Sequence, residues 1–98
     1  MKAKKLVRIM KALSNENRLN LYMEIAKCDE ADFEELQCNI SRIVKMFRLS
    51  APTISHHLKE LANAGLITTE KHGKYLTAKI NKETVTEVMR IFSEIDRE

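Results

Sequence analysis

The side chains able to do chemistry in this 98-residue sequence fall in three places. His56 and His57 stand side by side, with Ser55 just before them; Cys28 and Cys38 are the two thiols; between the thiols runs an acidic stretch of Asp29, Glu30, Asp32, Glu34 and Glu35. Each group suggests a reaction and fails a spacing test for it. Neighbouring residues on a helix point about 100° apart, so His56 and His57 cannot close on one metal ion. Ser55 beside His56 is likewise a helix-neighbour pair, not a nucleophile set on a base. The acidic run lacks the glycine and closing glutamate of a calcium loop and reads as a solvated loop. No glycine-rich phosphate loop, nucleophile elbow or histidine-rich metal motif occurs, so neither an enzyme nor a metal or cofactor is expected. The cysteines leave three readings open: small buried apolar groups, a redox pair that forms a disulfide, or a soft-metal site completed by Asp29, Glu30 or a histidine from another subunit.

What remains is polar recognition, and it concentrates in residues 50–66. Ser50 can accept a hydrogen bond from a first-turn amide, and Pro52 lies where a missing N–H does no harm, so a helix is predicted over about 51–64. Ile54, Leu58 and Leu61 form its apolar stripe, and Gly65 supplies the left-handed residue that ends it. His56 and Asn63 then lie nearly opposite the stripe, with Pro52, Thr53, Lys59 and Glu60 alongside and Ser55 and His57 on the flanks. Such a short, nearly neutral polar face suits the edges of bases in a DNA groove.

Charge supports a polyanionic partner. Residues 1–13 carry five basic and no acidic side chains, residues 14–39 two and seven, residues 40–80 seven and two, and residues 81–98 three and five, within a net charge of +3. A chain with 2 glycines, 1 proline and 44% hydrophobic residues should be mostly helical. The apolar run at the start is broken by Arg8 and Lys11, so no secretion signal or membrane span is expected. A cytoplasmic protein with reduced thiols follows from that reading.

These residues need mountings, and the periodicity supplies them. Leu6, Ile9, Met10 and Leu13 predict a first helix over about 3–12; Ser14 is the expected cap of a second helix, over 15–27, striped by Arg18, Leu21, Tyr22 and Ile25. The segment from Cys28 to Cys38 reads as a loop ending in a short strand, since Leu36, Cys38 and Ile40 alternate. Asn39 can cap a third helix with Ile40, Ile43, Val44 and Phe47 inside and Arg42, Lys45 and Arg48 outside. The tight Arg48-Leu49-Ser50 connection makes the third and fourth helices cross steeply, as in a helix-turn-helix. A hairpin over about 67–80 follows, with His72-Gly73 as its two-residue turn and Lys71, His72 and Lys74 at a tip able to reach phosphates. Val85, Val88, Met89, Phe92 and Ile95 stripe a last helix over about 82–96. With the first helix it offers more apolar surface than a small monomer covers, and we expect a dimer interface there.

The fold class read from the sequence is mainly α with a small β-hairpin, a winged helix-turn-helix of order α-α-(β)-α-α-β-β-α, filling residues 1–98 as one domain. The chain resembles the ArsR/SmtB family of small winged-helix repressors. Residues Met10 to Tyr22, the run Leu49-Ser50 through Leu61 to Ala64-Gly65-Leu66, and Tyr75 after Gly73-Lys74 carry the resemblance. It implies DNA contacts from Thr53, Ser55, His56 and His57, with Lys71, His72 and Lys74 from the wing. The sequence departs from the family in having Arg48 at a turn position that is usually glycine, a longer and more acidic linker from Cys28 to Asn39, and no metal-sensing signature. The expectation is a homodimeric, sequence-specific DNA-binding regulator that represses by occluding an inverted-repeat operator. Arg42, Lys45 and Arg48 would add charge that is indifferent to sequence. The alternative is a winged-helix protein-interaction module with weak, non-specific DNA binding.

Overall fold

The computed structural model describes residues 2–30, 48–72 and 75–97. Within these, α1 (Ala3–Leu13) and α2 (Glu16–Glu30) come first, α3 (Ala51–Asn63) follows, then β1 (Ile67–His72), β2 (Tyr75–Ile80) and α4 (Lys82–Ile95). The predicted strand around Leu36 and the helix from Ile40 to Phe47, with Cys38, Arg42 and Lys45, lie outside the described residues.

The boundary between α1 and α2 differs by one residue from the sequence reading. Ser14 closes α1 instead of opening α2, its Oγ donating to the Lys11 carbonyl at 2.9 Å, while the Asn15 side chain accepts from the Arg18 amide at 3.0 Å. Both residue types cap well, and the asparagine takes the N-cap. At the other end α2 continues through Cys28 to Glu30, where a loop was expected. The acidic segment from Cys28 carries no sustained helical period, which is why the local sequence argued for an earlier stop. Ile25 is buried and Cys28 packs against the core, so tertiary contacts carry the helix further. Cys28 is disulfide-bonded, contrary to the reduced thiol expected. The compartment argument behind that expectation says nothing about whether two sulfurs meet, which geometry decides.

The core gathers Ile9 and Ala12 from α1, Leu21 and Ile25 from α2, Ile54, Leu58 and Leu61 from α3, then Leu66, Ile67 and Ala78, with Val88 of α4 packed partly buried against it. β1 and β2 form an antiparallel ladder from Ile67 opposite Ile80 to His72 opposite Tyr75. The register moves the hairpin connection to residues 73 and 74, one beyond the His72-Gly73 turn expected; those two lie outside the described residues. β2 rests against α2 and β1 against α3, so the hairpin grows directly from the exit of α3. α4 is capped by Asn81, whose side chain accepts from the Glu83 amide at 3.2 Å, and Lys5 of α1 pairs with Glu87 of α4 at 3.3 Å. Among the described residues, no helix is long and apolar enough to cross a membrane.

Candidate nucleic-acid interface

Both ends of α3 are fixed by identifiable chemistry. At its start Ser50 Oγ accepts from the Thr53 amide at 3.3 Å and lies 2.8 Å from Thr53 Oγ1, with Pro52 in the first turn. At its end the Leu66 amide donates to the Leu61 carbonyl and the Gly65 amide to the Ala62 carbonyl, both at 3.0 Å. That pair of bonds is a Schellman exit, and it needs the left-handed backbone that Gly65 adopts at φ 77°. Buried Thr84 of α4 then donates to the Gly65 carbonyl at 2.6 Å, tying the exit turn to the last helix.

Between these ends the helix has two faces. Ile54, Leu58 and Leu61 are buried, while Pro52, Thr53, Ser55, His56 and Lys59 are exposed. The sequence-predicted residues Thr53, Ser55 and His56 are therefore all open, with His56 facing out and Thr53 and Ser55 on either side of it around the helix. His57 does not join them: it is 7% exposed and sits on the inner face, three residues after Ile54 and four before Leu61. Its Nδ1 faces Arg18 Nη1 at 3.4 Å, and Arg18 Nε donates to the Ala12 carbonyl. A guanidinium only donates, so Nδ1 accepts and the ring hydrogen sits on Nε2. Burial first, then the charge of Arg18 and that of His56, lower the His57 pKa below its ordinary value. The rings of His56 and His57 lie 6.2 Å apart and tilted by 47°, without a shared point of coordination. Among the described residues, no three His, Cys, Asp or Glu side chains gather closely enough to hold a metal ion.

Arg18 is the functional residue that reading the chain locally missed. It ties together the carbonyl end of α1, the start of α2 and the buried face of α3. The signal was its place in the apolar stripe of α2, since a cation on a buried face needs acceptors. Around α3, Arg48 is exposed at the entry in the left-handed region, φ 53°, so the turn keeps the conformation for which glycine is suited. Lys71 and His72 occupy the last two positions of β1, opposite Leu76 and Tyr75; Lys74 lies outside the described residues.

The arrangement is that of known regulators. A model for "Bacterial regulatory protein, arsR family" matches residues 33–69. The arsenical resistance operon repressor of Staphylococcus xylosus is 34% identical over 83 residues, covering 85% of this chain and 72% of that protein. A crystal structure of an ArsR family transcriptional regulator superposes with a TM-score of 0.80 at 24% identity, over 98% of this chain and 91% of that one. The solution structure of a homodimeric winged helix-turn-helix DNA-binding domain from Mycobacterium bovis does so with a TM-score of 0.69 at 20% identity, over 95% and 79%. The fold is a winged helix-turn-helix, with α3 in the place of the recognition helix and β1–β2 as the wing, and the chain belongs to the arsR family of bacterial transcriptional regulators.

Proposed function

We propose that this protein is a homodimeric repressor that binds double-stranded DNA at an inverted-repeat operator and acts by occluding it. The observation that carries the reading is the exposed strip of Thr53, Ser55 and His56 on a helix whose opposite face is wholly buried and whose two ends are capped. A rigid helix presenting short, near-neutral polar groups fits base edges in the major groove. In this reading Thr53, Ser55 and His56 bias sequence choice, while Lys71, His72 and Lys74 of the wing, with Arg42, Lys45 and Arg48, meet phosphates. His57 serves the same end from inside, by holding α3 against Arg18. Cys28 and Cys38 are the candidates for redox control, tested by DNA affinity before and after thiol reduction.

The dimer reading rests on the outer helices. Val7 and Met10 of α1 and Met89, Phe92 and Ile95 of α4 are exposed, and Lys5–Glu87 joins the two helices. An apolar face of this kind on a small domain marks an interface, and the Mycobacterium bovis domain of the same fold is a homodimer. Two recognition helices related by a two-fold axis would meet half-sites about 34 Å apart.

Selection of bound sequences from a random duplex pool tests the reading. The expected result is enrichment of an inverted repeat with half-sites about one helical turn apart. No enrichment, with binding that vanishes at moderate salt, would replace it with a protein-interaction module. His56→Ala is expected to weaken the selected site by about 1–3 kcal/mol and random duplex much less. Equal losses on both would remove base reading from His56.

A further inference from the structure

A cleft of about 320 Å³ between α1, the start of α2 and the second half of α3 plays no part in the reading above; Arg8, Lys11, Arg18, Glu60 and Asn63 line it. Its volume is at the lower end for small-molecule sites, roughly 300–1,000 Å³. Among the described residues neither Arg8 nor Lys11 has an ion-pair partner, although both stand beside the Glu60 wall. Three cations face one carboxylate and the carbonyl end of α1, worth about half a negative charge. The cleft is therefore a net cationic recess, not a self-neutralised one, and suits an anion.

Glu60 narrows the class of anion. A fully deprotonated oxyanion, such as sulfate, would be repelled by the carboxylate without compensation. A phosphodiester of the DNA backbone has no O–H to offer it either. An oxyanion that keeps one O–H can donate it to Glu60 while its other oxygens accept from Arg8, Lys11 and the unused N–H groups of Arg18. We propose that this cleft binds a small oxyanion retaining an O–H, of the hydrogen phosphate class, with Arg8, Lys11 and Arg18 holding its charge and Glu60 selecting for its proton. Asn63 adds an amide that both donates and accepts at the rim. Glu60 and Asn63 belong to α3, and Arg18 reaches from the cleft to buried His57 on the same helix. Occupancy thus bears on how α3 is seated, and through it on DNA affinity. That consequence rests on the DNA-binding reading of α3; the binding itself does not.

The test titrates the full chain near pH 7 and at constant ionic strength with inorganic phosphate and, separately, with sulfate. Binding is read from the backbone amide signals of Lys11, Arg18 and Asn63. The expected result is saturable binding of phosphate and affinity for sulfate lower by about tenfold or more, the worth of one charge-assisted hydrogen bond. Arg8→Gln with Lys11→Gln, both at exposed positions, weakens phosphate by a similar factor, and Glu60→Gln closes the gap between the two anions. Equal response to both anions, or a non-saturating response that the double substitution leaves unchanged, would overturn the proposal. So would a double variant whose only defect is a flatter salt dependence of duplex binding, which would make the two cations backbone contacts. In a second arm, saturating phosphate changes duplex affinity about threefold or more. Unchanged affinity, with phosphate and duplex both bound, overturns the coupling alone, and failure to bind any duplex overturns the DNA reading while the first arm still judges the cleft.

Discussion

Helix α3 and the last helix α4 have similar lengths and similar amphipathic patterns, yet the chain finishes one and leaves the other open. In α3 the stripe of Ile54, Leu58 and Leu61 is buried to within a few per cent of its surface. In α4 the stripe ends in Met89, Phe92 and Ile95, which are 65%, 47% and 70% exposed, and its fully buried residue is the polar Thr84. The difference separates two tasks. In the proposed reading, the DNA-facing surface is completed by one chain, with α3 held rigid to present Thr53, Ser55 and His56. The outer face is completed by a second copy in the proposed dimer, which would set the spacing between two reading surfaces.

The most severe break of this contrast lies inside α3. Leu61→Ala removes a fully buried side chain from the core that α1, α2 and α3 share, and is expected to lower the unfolding free energy by about 2–5 kcal/mol. Urea unfolding followed by circular dichroism measures it; a loss under about 1 kcal/mol would show that the helix is held by its caps and not by its stripe. The matching change on α4 behaves differently. Phe92→Glu should leave helix content intact but raise the dimer dissociation constant by about 30-fold or more, since a two-fold interface contains the substitution twice. Sedimentation over a concentration series reads this, and an unchanged dimer would move the interface away from α4.

A gentler break acts on the link between α3 and Arg18. The His57 pKa lies below its ordinary 6.5 because the ring is buried and faces the charge of Arg18, with His56 adding to it. A base whose pKa is lowered by folding binds its proton more readily when unfolded. Its contribution is therefore fully present above about pH 6.5 and is lost as pH falls through the folded value. Wild-type protein should lose more stability on acidification through that window than His57→Gln, whose side-chain oxygen can accept from Arg18 without titrating. Parallel pH profiles for the two proteins would end this assignment.

Local chemistry made the ends of α3 legible: Ser50 and Gly65 perform the cap and the exit that their residue types permit, and the β-branched and apolar runs on either side of His72-Gly73 marked the wing. The wing's register slipped by one because His72 can end a strand as well as begin a turn, and only pairing with Tyr75 decides between them. His57 was open to the right reading, being in step with Ile54 and Leu61, but its chemistry drew attention to the surface. Its partner Arg18 is 39 residues away, a distance over which no helical period speaks. The cleft of Arg8, Lys11 and Glu60 was out of reach for the same reason. Periodicity assigns each residue to a face of its own helix and says nothing of which faces of three helices converge.

The smallest effect concerns the two left-handed residues that bracket α3. Gly65 leaves the helix at φ 77° and Arg48 enters it at φ 53°. Glycine takes this conformation freely, whereas a residue with a Cβ pays roughly 1–2 kcal/mol for it. Arg48→Gly relieves that strain but frees the unfolded chain, which returns about 0.5–1 kcal/mol, so a net stabilisation of about 0.5 kcal/mol is expected. The same substitution removes a cation beside the entry of α3. If Arg48 meets a phosphate, the salt dependence of DNA binding flattens by about one unit while the melting temperature rises. Opposite movements in the two measurements would mean that an arginine is kept at a strained turn for its charge. A rise in stability with an unchanged salt slope would leave the strain without that reason and take Arg48 out of the DNA interface.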